Sequence, residues 1–268
     1  MRGPMFLHAK NGIAAGADYI RFGTGKKNLI LLPGLGDGLR TVKGTALPMA
    51  LLYRTFAKKY TVYAFSRREP LADGWSTRDM ARDQAQAMEA LRIDRADILG
   101  VSMGGMIAQW LAIDHPERVG KLILAVTCPD PNPIHRQSIQ EWIDLAKRGD
   151  HAGFMDSNLR RIYSGDYYRK NRWMIPLVGA LTKPKSYGRF FVQAQACLNH
   201  DALAELPKIE AKTLVIGGEK DLALGAGASR ILAAHIPGAE LKMYPKWGHG
   251  LYEEAGDFND TVLAFLEA

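Results

Sequence analysis

A serine flanked by glycines is the first candidate for chemistry in this sequence. Residues 100–104 read Gly-Val-Ser-Met-Gly, the pattern G-x-S-x-G, directly after an apolar segment and directly before a helical one. Glycines are needed two positions either side of a serine in a strained strand-to-helix turn, because larger residues would clash with the adjoining backbone. In this context the pattern predicts that Ser102 is a nucleophile.

A serine hydroxyl is a weak nucleophile at neutral pH and needs a base, which in turn needs an acid to orient it. Among the seven histidines, His249 lies in a glycine-flanked loop after the last predicted strand. Asp221 follows the preceding strand, at the edge where active sites of open α/β sheets form. The chain order Ser102, Asp221, His249 is the order of nucleophile, acid and base expected with this motif. Asp130, which follows an earlier strand, is the alternative acid.

A glycine-rich segment, residues 31–38, ends the first core strand and reads Leu-Leu-Pro-Gly-Leu-Gly-Asp-Gly. It completes neither of the phosphate-binding patterns G-x-G-x-x-G and G-x-x-x-x-G-K-[ST]. Glycines also let backbone N–H groups approach a developing negative charge with no side chain in the way. We therefore expect an oxyanion loop, with the amides of Leu35 and Met103 as the two donors.

Apolar segments of strand length alternate with helical segments along most of the chain. The predicted strands are residues 28–33, 60–66, 96–101, 121–127, 212–217 and 240–244. The predicted helices are residues 76–93, 103–115, 226–235 and 257–268. Most of the strands are almost continuously apolar, as strands covered on both faces are. This pattern predicts an α/β fold with a doubly wound, mostly parallel sheet.

The alternation stops between Pro129 and Pro207, where aromatic and basic residues are interleaved in helical patterns. We expect an inserted helical cap at residues 130–206, on a core formed by residues 1–129 and 207–268. Ten basic and three acidic residues lie between positions 147 and 189, so this segment carries the whole net charge of +7. The ten are Lys147, Arg148, Arg160, Arg161, Arg169, Lys170, Arg172, Lys183, Lys185 and Arg189.

Two interpretations of these ten basic residues stay open. In the first interpretation they form the solvated outer faces of cap helices. In the second, some of them face the cleft and attract an anionic substrate. A nucleic-acid partner is not expected, because no recognition motif accompanies the charge. The substrate-binding residues themselves cannot be assigned from spacing within the cap.

The composition is typical of a folded globular protein. The chain has 268 residues, 47% of them hydrophobic and 24% charged, which excludes disorder and a coiled coil. No apolar run approaches the ~18 residues of a membrane span, and the first ten residues lack the uninterrupted apolar stretch that is typical of a secretory signal. Cys128 and Cys197 form no C-x-x-C motif and fit a reducing compartment. We expect a cytoplasmic protein without a metal or cofactor, since no metal motif is present.

With these motifs the chain resembles the α/β-hydrolase fold superfamily, in the subgroup with a helical cap. The resemblance runs from about Asn28 to Ala268 and includes the helix exit at residues 115–119, His-Pro-Glu-Arg-Val. Many members have His-Gly where this chain has Pro-Gly at residues 33–34. This difference alters the side chains that support the oxyanion loop, but we expect its backbone N–H donors to be retained.

The resemblance implies that Ser102 is the nucleophile, His249 the general base and Asp221 the acid. Relatives that act as dehalogenases or epoxide hydrolases use an aspartate as nucleophile, so the serine disfavours those reactions. We expect a serine hydrolase of the carboxylesterase type, which cleaves a small-molecule ester through an acyl-enzyme. The same residues would serve a C–C bond hydrolase, a thioesterase, a lactonase or a cofactor-free perhydrolase. A slow-turnover ligand receptor of the same fold is the non-enzymatic alternative.

Overall fold

A computed structural model of the protein describes residues 9–268, which form one eight-stranded sheet flanked by helices. The strands are β1 (Lys10–Ala14), β2 (Ala17–Phe22), β3 (Lys27–Leu32), β4 (Tyr60–Arg68), β5 (Ala96–Val101), β6 (Val119–Ala125), β7 (Lys212–Gly218) and β8 (Glu240–Tyr244). Their order in the sheet is β1-β2-β4-β3-β5-β6-β7-β8. Strands β3 to β8 pair in parallel, and the hairpin β1–β2 joins β4 in antiparallel pairing. The predicted mostly parallel sheet is therefore confirmed.

The helices are α1 (Ala46–Leu52), α2 (Thr77–Ala90), α3 (Met103–Asp114), α4 (Pro133–Lys147), α5 (His151–Ile162), α6 (Gly165–Asn171), α7 (Ile175–Thr182), α8 (Gly188–Leu198), α9 (Gly227–His235), α10 (Leu251–Glu254) and α11 (Phe258–Glu267). At the start of α2, Ser76 Oγ accepts from the Asp79 amide at 3.1 Å, and Asp79 Oδ2 accepts from the Ser76 amide at 3.0 Å. This reciprocal cap satisfies two N–H groups that have no partner within the helix, and it fixes where α2 begins.

Both faces of the sheet are buried, which explains why the core strands are apolar at every position. In β3, Ile30 and Leu32 belong to a hydrophobic cluster on one face, with side chains of α2 and α3. Leu29 and Leu31 belong to a second cluster on the other face, with side chains of α1 and α11. Successive strand residues point to opposite faces, so a sheet with two covered faces needs apolar residues throughout.

Between β6 and β7 the described chain forms helices α4 to α8 and no strand. The division into a core of residues 1–129 and 207–268 and a cap of residues 130–206 stays a prediction, and residues 1–8 lie outside the described residues. The expectation that no secretory signal is present concerns the first ten residues, and residues 1–8 of these lie outside the described part of the chain. No helix within residues 9–268 has the length and apolar character needed to cross a membrane.

Candidate active site

Ser102 lies in a tight turn between the end of β5 and the start of α3. Its backbone has φ +54° and ψ −122°, a conformation that L-residues rarely adopt and that costs about 1–3 kcal/mol. A Cβ atom on Gly104 would lie 1.9 Å from the carbonyl oxygen of Leu32, and one on Gly100 would lie 2.6 Å from that of Gly104. The two glycines therefore allow the close packing that holds Ser102 in this turn.

The side chains of Ser102, His249 and Asp221 form a continuous hydrogen-bonded line. His249 Nε2 lies 3.0 Å from Ser102 Oγ, and His249 Nδ1 lies 2.8 Å from Asp221 Oδ2. His249 and Asp221 are buried. Because a carboxylate only accepts hydrogen bonds, Nδ1 carries the proton and Nε2 is free to accept from the serine hydroxyl.

The surroundings of Asp221 favour its ionised form. Burial alone would raise the pKa of this carboxyl group. The charge and hydrogen bond of His249 and the amides of Ala223 and Leu224 outweigh burial and lower the pKa below its ordinary value. Both amides donate to Asp221 Oδ1 at 2.8 Å. Asp130, the alternative acid, has no hydrogen bond to His249 within residues 9–268.

The predicted oxyanion loop turns directly beside Ser102. Leu35–Gly38 form a single 3-10 turn, and a Cβ atom on Gly34 would lie 3.3 Å from the Cβ atom of Ser102. Within the described residues, neither the Leu35 amide nor the Met103 amide has a hydrogen-bond partner. Met103 is the first residue of α3, where N–H groups are unpaired and the helix dipole favours negative charge. Both amides are therefore available to an anion.

A buried ion cluster around Asp37 holds the predicted oxyanion loop in place. Sequence reasoning missed this cluster. Asp37 Oδ2 accepts hydrogen bonds from Arg189 Nη2 at 2.5 Å, from Gln193 Nε2 at 3.2 Å and from the Arg67 amide at 3.2 Å. Arg67 Nη2 donates to the carbonyl oxygen of Pro33 at 2.6 Å. The cluster joins the loop to the end of β4 and to α8, because Arg189 and Gln193 belong to that helix.

A cavity of about 380 Å³ opens at Ser102 and His249. Apolar side chains form most of its wall, and its acidic lining residues are Asp37 and Glu253. None of the ten basic residues at positions 147–189 lines it. The cations therefore lie outside this cavity, and Arg160, Arg169 and Lys170 line a more open depression that shares Tyr163 with it. Several are paired elsewhere, as Arg161 is with Glu141 and Arg169 with Asp166.

Comparison with known proteins gives one family and several named enzymes. The model of the α/β-hydrolase fold family matches residues 27–256. A protein of Caulobacter segnis named as the carbamate hydrolase RutD is 25% identical over 253 residues, which are 91% of this chain and 92% of the relative. The 2-hydroxy-6-oxo-6-phenylhexa-2,4-dienoate hydrolase of Burkholderia cepacia is 29% identical over 201 residues, which are 69% of this chain and 68% of that enzyme.

Solved structures share the fold over nearly the whole chain. The enol-lactonase from Burkholderia xenovorans LB400 has a TM-score of 0.79 at 22% identity, with 97% of this chain and 100% of the lactonase covered. MGS-M2, an α/β hydrolase from a Medee basin deep-sea metagenome library, has a TM-score of 0.80 at 22% identity, with 94% of each chain covered. At this identity the likeness shows the architecture and does not show the substrate.

Proposed function

Because the chain belongs to the α/β-hydrolase family, we propose that it is a serine hydrolase that cleaves a small-molecule ester through an acyl-enzyme. The observation that carries this proposal is the line of hydrogen bonds from Ser102 Oγ to His249 and on to Asp221, at 3.0 and 2.8 Å. A nucleophile, a base and an orienting acid at these distances are the parts that acyl transfer to a serine requires.

In the first half-reaction, Ser102 Oγ attacks the ester carbonyl carbon while His249 Nε2 takes the serine proton. The carbonyl oxygen becomes an oxyanion, which the amides of Leu35 and Met103 bind. The ionised Asp221 stabilises the imidazolium through Nδ1. The C–O bond to the alcohol then breaks, His249 gives its proton to the departing oxygen, and the acyl group stays on Ser102.

In the second half-reaction, a water molecule takes the place of the alcohol. His249 Nε2 removes a proton from the water as its oxygen attacks the acyl carbon, and the same amides bind the second oxyanion. The bond between the acyl carbon and Ser102 Oγ breaks, and the proton returns from His249 to the serine. The carboxylic acid product leaves and the enzyme is restored.

The cavity supports a neutral, mainly apolar acyl group. Its volume of about 380 Å³ is within the ordinary range for small-molecule sites. The Burkholderia cepacia relative is named for a dienoate, which carries a carboxylate. In this chain such a carboxylate would meet Glu253 and no lysine or arginine in the cavity wall, since the charge of Asp37 is compensated by Arg189 and Arg67. An ester is therefore the preferred substrate class over an anionic C–C hydrolase substrate.

The test is turnover of a panel of alkyl esters, thioesters, lactones and vinylogous 1,5-diketones by the purified protein, with Ser102→Ala beside it. We expect steady turnover of neutral esters by the natural chain. Ser102→Ala should lower kcat on the order of 10⁶-fold, because the nucleophile is gone. Ser186→Ala, at an exposed serine outside the cavity, is the matched control. Retained activity of Ser102→Ala would refute the proposal, and a single burst without turnover would indicate a ligand receptor.

A further inference from the structure

A second cavity, of about 20 Å³, also touches Ser102 and His249. The larger cavity touches the same two residues, so the two cavities meet at the reacting atoms. The wall of the small cavity includes Ala223 and Leu224, from the loop whose Asp221 binds His249. The small cavity therefore lies on the flank of the base. Its volume suits one water molecule or one or two non-hydrogen atoms of a substrate.

A buried histidine that the mechanism leaves unused lines this small cavity. His135 is 1% exposed and lies in the first turn of α4. Its amide donates to Asn132 Oδ1 at 3.0 Å, and Asn132 Nδ2 donates to the carbonyl oxygen of Leu224 at 2.7 Å. The start of α4 is thus fixed to the loop that forms another part of the same wall. His135 is held in place by this double attachment.

The imidazole of His135 is neutral and incompletely satisfied. Burial, with smaller contributions from the charges of His249 and Arg136, lowers the pKa of His135 to about 4. Its Nδ1 lies 4.0 Å from Cys128 Sγ, a weak contact, and Nε2 has no hydrogen-bond partner within residues 9–268. A polar atom in a protein interior that has no protein partner usually binds water or a ligand, and the small cavity gives Nε2 room for one.

Burial also raises the pKa of the Cys128 thiol well above its ordinary value, so this group keeps its proton at neutral pH. The thiol can donate that proton to Nδ1 of His135. A neutral imidazole that accepts at Nδ1 carries its own proton on Nε2. His135 can then offer an N–H donor to a group in the small cavity.

We propose that the small cavity holds the alcohol oxygen of the ester in the first half-reaction and the attacking water in the second, with His135 Nε2 hydrogen-bonded to both. The two oxygens occupy one position, because each exchanges a proton with His249 Nε2 and each is bonded to the same acyl carbon. The larger, apolar cavity then receives the acyl group. The inference rests on the proposed function, and it specifies the substrate class as esters of a very small alcohol with a larger, uncharged acid.

Two isomeric esters test the assignment of the cavities. Methyl heptanoate places one carbon on the alcohol side and hexyl acetate places six, while both are alkyl esters of the same composition. We expect kcat/KM of the natural protein to be at least about tenfold higher for methyl heptanoate, because misplaced methylenes in a closed site are each worth about tenfold or more. Equal values, or a preference for hexyl acetate, would overturn the inference and leave the proposed function standing.

Substitution of His135 tests its contact with the water. His135→Leu should lower kcat for methyl heptanoate by about 10- to 100-fold through the loss of one hydrogen bond in a buried site. The alcohol oxygen is also positioned by its bond to the acyl carbon, whereas the water depends on its hydrogen bonds, so deacylation should slow more than acylation. KM should therefore fall as the acyl-enzyme accumulates, and intact-protein mass spectrometry should detect Ser102 carrying a heptanoyl group. His135→Gln keeps a hydrogen-bond donor, so its kcat for methyl heptanoate should be closer to that of the natural protein. An apolar group in place of an unsatisfied histidine should leave Tm unchanged or raise it.

A loss of activity in His135→Leu without a heptanoyl adduct, and without rescue by glutamine, would overturn the role of His135. His135→Met offers a second apolar variant of different shape in case leucine is not accommodated. Absence of turnover of either ester by the natural protein would refute the proposed function, and the inference would fall with it. Turnover with the wrong preference would refute the inference alone.

Discussion

Arg189 of α8 donates a hydrogen bond from Nη2 to Asp37 Oδ2 of the predicted oxyanion loop, across 152 positions of sequence. The same guanidinium group donates to the carbonyl oxygens of Asp37, Arg67 and Arg68 at 2.9–3.1 Å. Both side chains are nearly or fully buried. The planar guanidinium group thus joins the helical insertion to the loop and to the end of β4, so a displacement of α8 would also disturb the loop that carries the Leu35 amide.

Asp37→Asn should destabilise the protein more than Arg189→Met does. Asp37 faces two buried cations, since Arg67 Nη1 lies 3.8 Å from the carboxylate that Arg189 also binds. Removal of one member of a buried ion pair costs about 3–5 kcal/mol because a buried charge stays uncompensated, and Asp37→Asn leaves two such charges. Urea unfolding of each variant measures the cost. Arg172→Met, at an exposed arginine, is the control, and an Asp37→Asn midpoint equal to that of the control would contradict the prediction.

Asp221→Asn should lower kcat by about 10⁴-fold, because an amide in place of the carboxylate leaves the imidazole of His249 in the wrong tautomer. Asp130→Asn should change kcat little, since no hydrogen bond joins Asp130 to His249 in the described part of the chain. Steady-state kinetics on a neutral alkyl ester compares the two variants. The reverse ranking would transfer the role of the acid to Asp130.

The buried strands could be predicted from the sequence because an apolar run between turn residues is a local signal. The predicted residues 96–101 and 240–244 coincide with β5 and β8. The hairpin β1–β2 was not predicted, because its strands are short and mix polar with apolar residues. Strand β6 ends two residues before the prediction, where Val126 turns to a φ of +44° that composition does not indicate.

In the candidate site, too, residues in local motifs could be predicted from the sequence, and residues joined only by tertiary contacts could not. Ser102, Asp221 and His249 each stand in a local motif, and the structure places them within hydrogen-bond distance of one another. His135 was set aside because it lies outside the loops at strand ends, and only the packing of α4 places it beside the cavity. Partners such as Asp37 and Arg189 are joined by tertiary contacts alone, so no spacing in the sequence could have identified the pair.

Glu253 should make the larger cavity discriminate against anionic acyl groups. It lines that cavity, and its Oε2 accepts a hydrogen bond from the Tyr163 hydroxyl at 2.6 Å. We expect kcat/KM to be about 3- to 10-fold higher for methyl heptanoate than for the monomethyl ester of heptanedioic acid, a modest ratio because the carboxylate is partly solvated. Added salt should raise kcat/KM for the charged ester, as screening weakens repulsion.

Glu253→Gln should reduce the ratio of kcat/KM for the neutral ester to kcat/KM for the charged ester. Glu89→Gln, at an exposed position of α2, should leave this ratio unchanged. Burial raises the pKa of Glu253, so the ratio is measured at pH 8, on the alkaline side, where the charged form of Glu253 is favoured over its protonated form. A kcat/KM for the charged ester that falls with added salt would show attraction, and the basic residues of positions 147–189 would then have to act on the substrate.

Asp83 should make the folded state less stable as the pH rises through the weakly acidic range. This side chain of α2 is buried, its Oδ1 lies 3.5 Å from Arg68 Nη1, and Oδ2 has no hydrogen-bond partner among residues 9–268. Burial raises the pKa of Asp83 from 3.8 to about 6, although the charge of Arg68 offsets part of this effect. Between these two pH values the folded protein holds a proton that the unfolded chain has released.

The free energy of unfolding should therefore contain a contribution from Asp83 that is full below pH 4 and is lost as the pH rises to about 6. A rise of this size in pKa corresponds to about 3 kcal/mol at most. Asp83→Asn removes the ionisation, so it should raise the free energy of unfolding at pH 7.5 by about 1–3 kcal/mol and have a smaller effect at pH 4.5. Urea unfolding at both pH values, with the exposed Asp73→Asn as control, measures the difference. A variant less stable than the natural chain at pH 7.5 would show that the pair with Arg68 outweighs the cost of burying the charge.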